Sequence, residues 1–380
     1  MTIRHLLEQP TAFNNHKVLK NGSTLVLRLD VDEGTILCKI ANANNTVLER
    51  EAARIQQLKS HNPLLGERLP TILGQGVIGT GLHRDKSYYL QEFINGETLA
   101  SLLQRGDATR DNSEAILRTV TSSLLDMVDE HDFDPGQNEQ SGLWIRDHIR
   151  EAYHRLLALE HIGFLTSLDE IIINGKPRHS LSWCLEKIFS SPTFELLNEG
   201  PSTISILGHW NFHAENIIFS DVSRPEDFKI IDPDPKIDVN DPFFGIARLL
   251  YSFPHDTAEN NQYYIETDML LPNAATSNEF NITFTWGDPV IDNYGPISTG
   301  VASKGEYMPQ LLDDRLSDPT LAARLDLTFL QCLLRGVAIN QTVDFRVTDD
   351  NLKCFQNKGV LLFLVATDFA NTVVKRFTGS

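Results

Sequence analysis

The residues with the clearest chemistry lie in the stretch His209-Trp210-Asn211-Phe212-His213-Ala214-Glu215-Asn216 and in Ile230-Ile231-Asp232-Pro233, which follows it. Asn216 and Asp232 offer an amide oxygen and a carboxylate, hard oxygen donors of the kind Mg²⁺ takes together with phosphates and water. Transfer of a phosphoryl group needs such a metal site and, in addition, a group that orients the acceptor and takes its proton. Asn211 stands where the second need would be met, and an amide takes no proton near neutral pH. His213 is a candidate substitute, because imidazole titrates in that range, and Asp234 is a further nearby carboxylate. Asn211, His213 and Asp232 are therefore the candidate catalytic residues, and Asn216 and Asp232 the candidate metal ligands.

The chain upstream holds the elements that must place a nucleotide. Val18 to Asp30 and Gly34 to Ile40 are β-compatible runs broken by turn signals at Asn21-Gly22 and Asp32-Glu33-Gly34, which predicts strand, turn, strand, hairpin, strand. Asn21-Gly22-Ser23-Thr24 reads either as an ordinary hairpin turn or as a loop whose backbone N–H groups lie over phosphates, so Gly22 and Ser23 are candidate nucleotide contacts. Lys39 closes the third strand, where a buried-edge cation needs a partner or an anionic ligand to offset desolvation. A helix is predicted over Val47 to Leu58, with Leu48, Ala52, Ile55 and Leu58 on one apolar face and Glu51 beside it. Gly74-Gln75-Gly76-Val77-Ile78-Gly79 fits Gly-x-Gly-x-x-Gly. No helix follows it, and Tyr88 to Phe93 reads as a second strand, so the motif is a glycine-rich hairpin rather than a dinucleotide site.

The segment from His209 to Asp232 resembles the aminoglycoside phosphotransferase family, the small-molecule branch of the protein-kinase-like fold, whose loop runs His-Gly-Asp-Leu-His-x-x-Asn and is followed by Ile-Asp. The match covers His209, His213, Asn216, Ile231 and Asp232. Trp210 stands where the family has Gly, Asn211 where it has Asp, and Gly245 where a later Asp holds the catalytic loop in place. The family keeps its Asp alongside the His matched by His213, which argues for a structural part for that imidazole. The resemblance implies an α+β, two-lobed, protein-kinase-like fold. Residues 1–95 would form a small β-rich N-lobe with one main helix, and 96–380 a larger, mostly helical C-lobe; at about 258–309 the resemblance fades, and this Asn-, Thr-, Pro- and Gly-rich span reads as a β-rich insertion. The resemblance implies that ATP or GTP lies between the lobes with Mg²⁺, Lys39 on the phosphates, Glu51 positioning Lys39, and the linker at Gln91, Glu92 and Phe93 offering its backbone to the base. The activity implied is phosphoryl transfer to the hydroxyl or amine of a small molecule. Loss of carboxylates at positions 211 and 245 supports the alternative of a nucleotide-binding pseudokinase that senses or scaffolds.

Further along, Asp111 and Glu114 form a capping-box pattern ahead of Ile116, Leu117, Val120, Leu124, Leu125 and Val128. Trp144, Ile145, Ile149, Tyr153, Leu156 and Leu157 mark a second amphipathic segment. Ile171 to Gly175 reads as strand or turn, Leu181 to Phe189 as a short helix, and Leu321 to Val337 and Leu352 to Phe377 as the closing helices. In the insertion, Phe280 to Trp286 and Val290 to Tyr294 are strand-like. Trp286, Asp288, Asp292 and Tyr294 are either acceptor contacts or part of a dimerisation surface.

Composition bounds the partners. With 380 residues, 41% hydrophobic and 22% charged, the chain has the make-up of a globular protein with substantial cores. A net charge of −18 argues against nucleic acid and anionic membranes as partners and favours a cationic acceptor. Cys38, Cys184, Cys332 and Cys354 are scattered without metal-ligand spacing, as expected of free thiols in a reducing compartment. The N-terminal residues lack the apolar length of a signal peptide, so a cytoplasmic location is expected.

Overall fold

The computed structural model describes residues 16–21, 24–41, 47–61, 63–78, 83–104, 141–166, 168–199, 211–221, 223–233, 242–259, 264–267, 279–285, 319–339, 354–355 and 357–379, with parts of 116–126. The chain is mixed α+β and divides into two compact units, residues 1–99, 127–131 and 206–240, and residues 100–126, 132–205 and 241–380.

In the first unit, β1 (His16–Asn21), β2 (Thr24–Val31), β3 (Gly34–Ala41), β4 (Ile72–Val77) and β5 (Ser87–Glu92) form an antiparallel sheet in the order β1-β2-β3-β5-β4. Strand alternation divides its side chains between two faces. Leu25, Leu27 and Leu29 lie opposite Ile40, Cys38 and Ile36 and form a buried layer with Ile78, Tyr88 and Leu90. On the other face, Ala41 and Tyr89 pack with Leu48 and Ala52 of α1 (Val47–His61). Burying a side chain of Leu or Ile size contributes about 1.5–3 kcal/mol, so these layers fix which face each strand residue takes. Lys39 falls on the α1 face because it is two residues from Ala41. The glycine-rich segment pairs as β4 with β5, the hairpin its sequence predicts.

A second sheet of the same unit has the order β10-β9-β6, all antiparallel, from β6 (Glu97–Thr98), β9 (Ile217–Phe219) and β10 (Phe228–Ile230). Gly96 permits the close approach of β6 to β9, since a Cβ there would lie 2.4 Å from the Phe219 carbonyl oxygen. The short α2 (Pro63–Arg68) ties β10 to the unit. The Arg68 guanidinium donates to the carbonyls of Glu226 and Phe228 and lies over the Phe228 ring, while Lys229 Nζ donates to Glu67 O at 2.7 Å.

The second unit is mostly helical. It holds α4 (Ser141–Leu157), α5 (Glu160–Thr166), α6 (Leu181–Phe189), α7 (Pro192–Glu199), α8 (Pro242–Glu259), α9 (Pro319–Ile339) and α10 (Lys358–Thr378), while α3 (Leu99–Gln104) follows β6. The long α9 packs against α4, α8 and α10, with Phe329 and Phe369 edge to face at 4.9 Å. Buried ion pairs join Arg178 to Asp368 and Arg376 to Asp326. Ser180 caps α6 by accepting from the Trp183 N–H, so this helix begins at Leu181, where the periodicity predicts. A mixed sheet runs β13-β11-β12-β7-β8, made of β7 (Glu170–Ile173), β8 (Lys176–His179), β11 (Tyr264–Thr267), β12 (Glu279–Thr285) and β13 (Cys354–Phe355), with β12 and β7 parallel.

Two expectations are corrected. The helix predicted from Leu352 starts at Lys358, because Cys354 and Phe355 pair with β11 and Asn357 caps the helix by accepting the Val360 N–H. Leu157, predicted as core, is exposed at the last turn of α4. Cys38, Cys184 and Cys332 are free, buried thiols, and burial pushes the Cys332 thiol up to about 11, which makes it a poor nucleophile. No helix among the described residues is long and apolar enough to cross a membrane.

Candidate functional site

Residues distant in sequence meet in the first unit around the Lys39 ammonium. Its Nζ donates to Glu51 Oε1 at 2.6 Å and to Asp232 Oδ1 at 2.5 Å. Sheet register explains the first contact. Lys39 lies opposite Tyr89 across β3 and β5, and both lie under the α1 face on which Glu51 falls between Leu48 and Ile55. The second contact depends on β10, which ends beside the 211–216 segment through the Ile231 N–H bond to Asn216 O at 2.9 Å.

Burial grades the three charges. The side chains of Lys39 and Glu51 are 9% and 6% exposed, whereas that of Asp232 is 44% exposed, so the site opens to solvent on the Asp232 side. Burial by itself would lower the Lys39 pKa, but the oxygens of Tyr89, Glu51 and Asp232 outweigh it and hold the ammonium well above its ordinary value. For Glu51, burial is the largest influence and raises the carboxyl to about 7, against the downward pull of Lys39. One cation facing two carboxylates leaves the cluster with a formal negative charge, which suits an incoming metal cation.

Tyr89 is a site residue that the sequence reading does not pick out. Its hydroxyl donates to Glu51 Oε1 at 2.5 Å, and the residue is fully buried. Tyr89→Phe is expected to cost about 1.5–3 kcal/mol of stability at pH above the Glu51 value of about 7, where the lost hydrogen bond is to a charged group, and to raise the Glu51 pKa further. Urea unfolding of both proteins checks the first effect, and no loss of stability would exclude Tyr89 as a brace.

The loop after residue 210 is held by its own amides. Asn211 O accepts from the His213 N–H at 2.7 Å and from Asn216 Nδ2 at 3.0 Å. Asn211 Nδ2 donates to Asp232 O at 3.2 Å, so that side chain braces the residue that meets Lys39. With its Nδ2 engaged by Asn211 O, Asn216 presents Oδ1 as its remaining polar atom. His213 precedes the 3₁₀ turn Ala214–Asn216 and is half-buried. Asp232 has a φ of 61°, a left-handed conformation that costs a non-glycine residue of order 1–3 kcal/mol and is often retained where the side chain has work to do.

The remaining candidates spread out. Gln91 is buried on the Lys39 face of β5, two residues beyond Tyr89. Glu92 points to the opposite face, is exposed and accepts from the Thr71 N–H. Phe93 is half-buried under the Arg28 guanidinium, 5.0 Å from its ring centre. Gly22, Ser23, His209, Trp210, Asp234, Trp286, Asp288, Asp292 and Tyr294, with the Asp111 and Glu114 cap, lie outside the described residues.

No protein-family model matches the chain, and no curated protein sequence matches it. Among solved structures, it is similar to a thermostable mutant of aminoglycoside phosphotransferase APH(4)-Ia in its apo form, at 13% identity over 100% of both chains with a TM-score of 0.48. A further variant of that mutant, crystallised with AMP-PNP and hygromycin B, is 13% identical over 99% of both chains with a TM-score of 0.47. Plasmodium vivax ethanolamine kinase is 9% identical over 93% of this chain and 82% of its own, with a TM-score of 0.43. By their names these neighbours are an aminoglycoside phosphotransferase and an ethanolamine kinase. At such low identity the chemistry of the site has to be read from its own side chains.

Proposed function

We propose that the chain is a nucleotide-dependent phosphotransferase that acts on the hydroxyl or amine of a small molecule, with ATP or GTP as donor. The observation that supports this most is the convergence of Lys39, Glu51 and Asp232 from β3, α1 and the end of β10. Such a cluster is more than fold stability requires, because a buried ion pair is on average no more stabilising than apolar packing.

In this reading Lys39 is held by Glu51 and Tyr89 and turns its charge toward phosphate oxygens. Asn216 and Asp232 fit Mg²⁺ by the chemistry of their donors, one amide oxygen and one half-exposed carboxylate. Among the described residues no cluster of three or more His, Cys, Asp or Glu is gathered, and Mg²⁺ is commonly held by one or two protein oxygens with phosphates and water completing its shell. When bound, the metal supplies charge neutralisation for the phosphate tail. Asn211 orients the acceptor by hydrogen bonding and takes no proton, which suits slow transfer or an acceptor that needs little deprotonation. The acidic surface favours a cationic acceptor. Residues 1–95 would then serve the nucleotide and 96–380 catalysis and the acceptor.

The second reading, a nucleotide-binding pseudokinase, is favoured by one observation: the Asn211 amide is committed to the Asp232 carbonyl. Thermal shift with ATP and GTP, with and without Mg²⁺, followed by turnover on a panel of amines and alcohols, separates the two. Mg²⁺-dependent stabilisation with turnover at least about 10²-fold lower in Asp232→Ala is expected if metal-borne charge stabilisation is at work. Binding with no turnover selects the pseudokinase, and absence of any nucleotide shift overturns both.

A further inference from the structure

The second unit contains a cavity of about 250 Å³ between α4 and α9. On α4, His148, Glu151, Ala152 and Arg155 line it at the i, i+3, i+4, i+7 spacing of one helix face, and on α9 Gln331, Arg335 and Ala338 do the same at i, i+4, i+7. Ala152 and Ala338 leave room where larger side chains would close the groove. The volume is below the roughly 300 Å³ at which drug-sized sites begin, enough for a small metabolite and too little for a nucleoside triphosphate.

Two features of the lining point to an occupant. Gln331 is 2% exposed, and its Oε1 is buried with no hydrogen-bond partner. Leaving a buried amide oxygen unpaired costs about 1–3 kcal/mol, and the residue that carries it lines the cavity. The charges are the second feature. Glu151 is already engaged by Arg155 at 2.6 Å, while Arg335 has no carboxylate partner among the described residues and is exposed at the mouth. Two guanidinium groups against one carboxylate give the cavity a net positive lining in a chain of net charge −18. A positive concavity on a negative surface concentrates small anions.

We propose that this cavity is a binding site for a small organic anion, a carboxylate or phosphate that also carries a hydroxyl or amine donor. Arg335, with Arg155 beside it, takes the anionic group, and the Gln331 oxygen takes the donor. The site lies wholly in the second unit and does not depend on phosphoryl transfer.

Calorimetric titration of the full chain without nucleotide, using glycerate, glycerol 3-phosphate, glycerol and sulfate, tests this. Glycerate or glycerol 3-phosphate should bind, with the tighter of the two naming the anion, and glycerol and sulfate should each bind at least tenfold more weakly. Arg335→Ala should weaken binding at least tenfold. Gln331→Leu should do the same while leaving the melting temperature of the free protein unchanged or higher, because it removes an unpaired buried oxygen. A fall in that melting temperature would assign Gln331 a structural role and overturn the proposal. So would absence of binding at millimolar concentration, sulfate binding as tightly as glycerol 3-phosphate, or unaltered affinity in both variants.

Discussion

Asn211→Asp is expected to raise turnover, and the size of the rise follows from two opposed effects. A carboxylate at this position supplies a general base, which typically contributes about 10² to 10⁴ in rate. Against this, Asp cannot donate to the Asp232 carbonyl as the Asn211 amide does at 3.2 Å. That neutral bond is long, and its loss costs about 0.5–1.5 kcal/mol, roughly a tenfold loss of rate if all of it falls on the active geometry. The new carboxylate is also repelled by the Asp232 oxygens, which adds to that loss. The gain exceeds the loss, so a net increase of about 10- to 10³-fold in kcat is expected. The measurement is kcat of both proteins on the best acceptor of the panel across pH 5 to 9. An unchanged or lower kcat with intact nucleotide binding would mean that residue 211 does not face the acceptor and serves only to brace Asp232.

How far this site was legible depends on whether each contact is local or non-local. A strand period of two and a helix period of about 3.6 put Lys39 and Glu51 each on a definite face, but their pairing with each other and with Asp232 is legible only through the resemblance to the aminoglycoside phosphotransferase family. Tyr89 is legible by neither route. Its place opposite Lys39 is set by the register of β3 against β5, and a shift of one residue would have presented Tyr88 instead. The Asn211 amide reads from sequence as a lost base, and only the position of the Asp232 carbonyl reveals its second role as a brace. The parallel pairing of β12 with β7 is likewise invisible to pattern reading, since the two segments are far apart and each alone looks like an isolated strand. For α10, apolar periodicity extends past the true start, and the Asn357 cap and the pairing of β13 decide the boundary.

Lys39→Met is expected to destabilise the protein strongly, in a way that depends on pH. The substitution keeps most of the side-chain volume but leaves Glu51, 5% exposed, without its cation. Removing one partner of a buried pair typically costs about 3–5 kcal/mol, mostly through the charge left behind. The direction with pH follows from Glu51. Its carboxyl in the folded protein is raised to about 7 from an ordinary 4.5, so its stabilising contribution is full below the ordinary value and is lost as pH rises through the folded one. Without the downward pull of Lys39 the folded pKa rises further, and the window of loss extends above 7. At pH 5 Glu51 is protonated in both folded proteins, and the penalty should be smaller there than at pH 8 by up to about 1.4 kcal/mol, the worth of the one pKa unit between 7 and 8. Lys39→Met/Glu51→Gln should recover most of the stability at pH 8, because no buried charge then remains unpaired. Urea unfolding at the two pH values checks all three statements. An equal penalty at pH 5 and 8, with no rescue by Glu51→Gln, would show that Lys39 acts through packing and that the Lys39–Glu51 pair is not the electrostatic centre of the site.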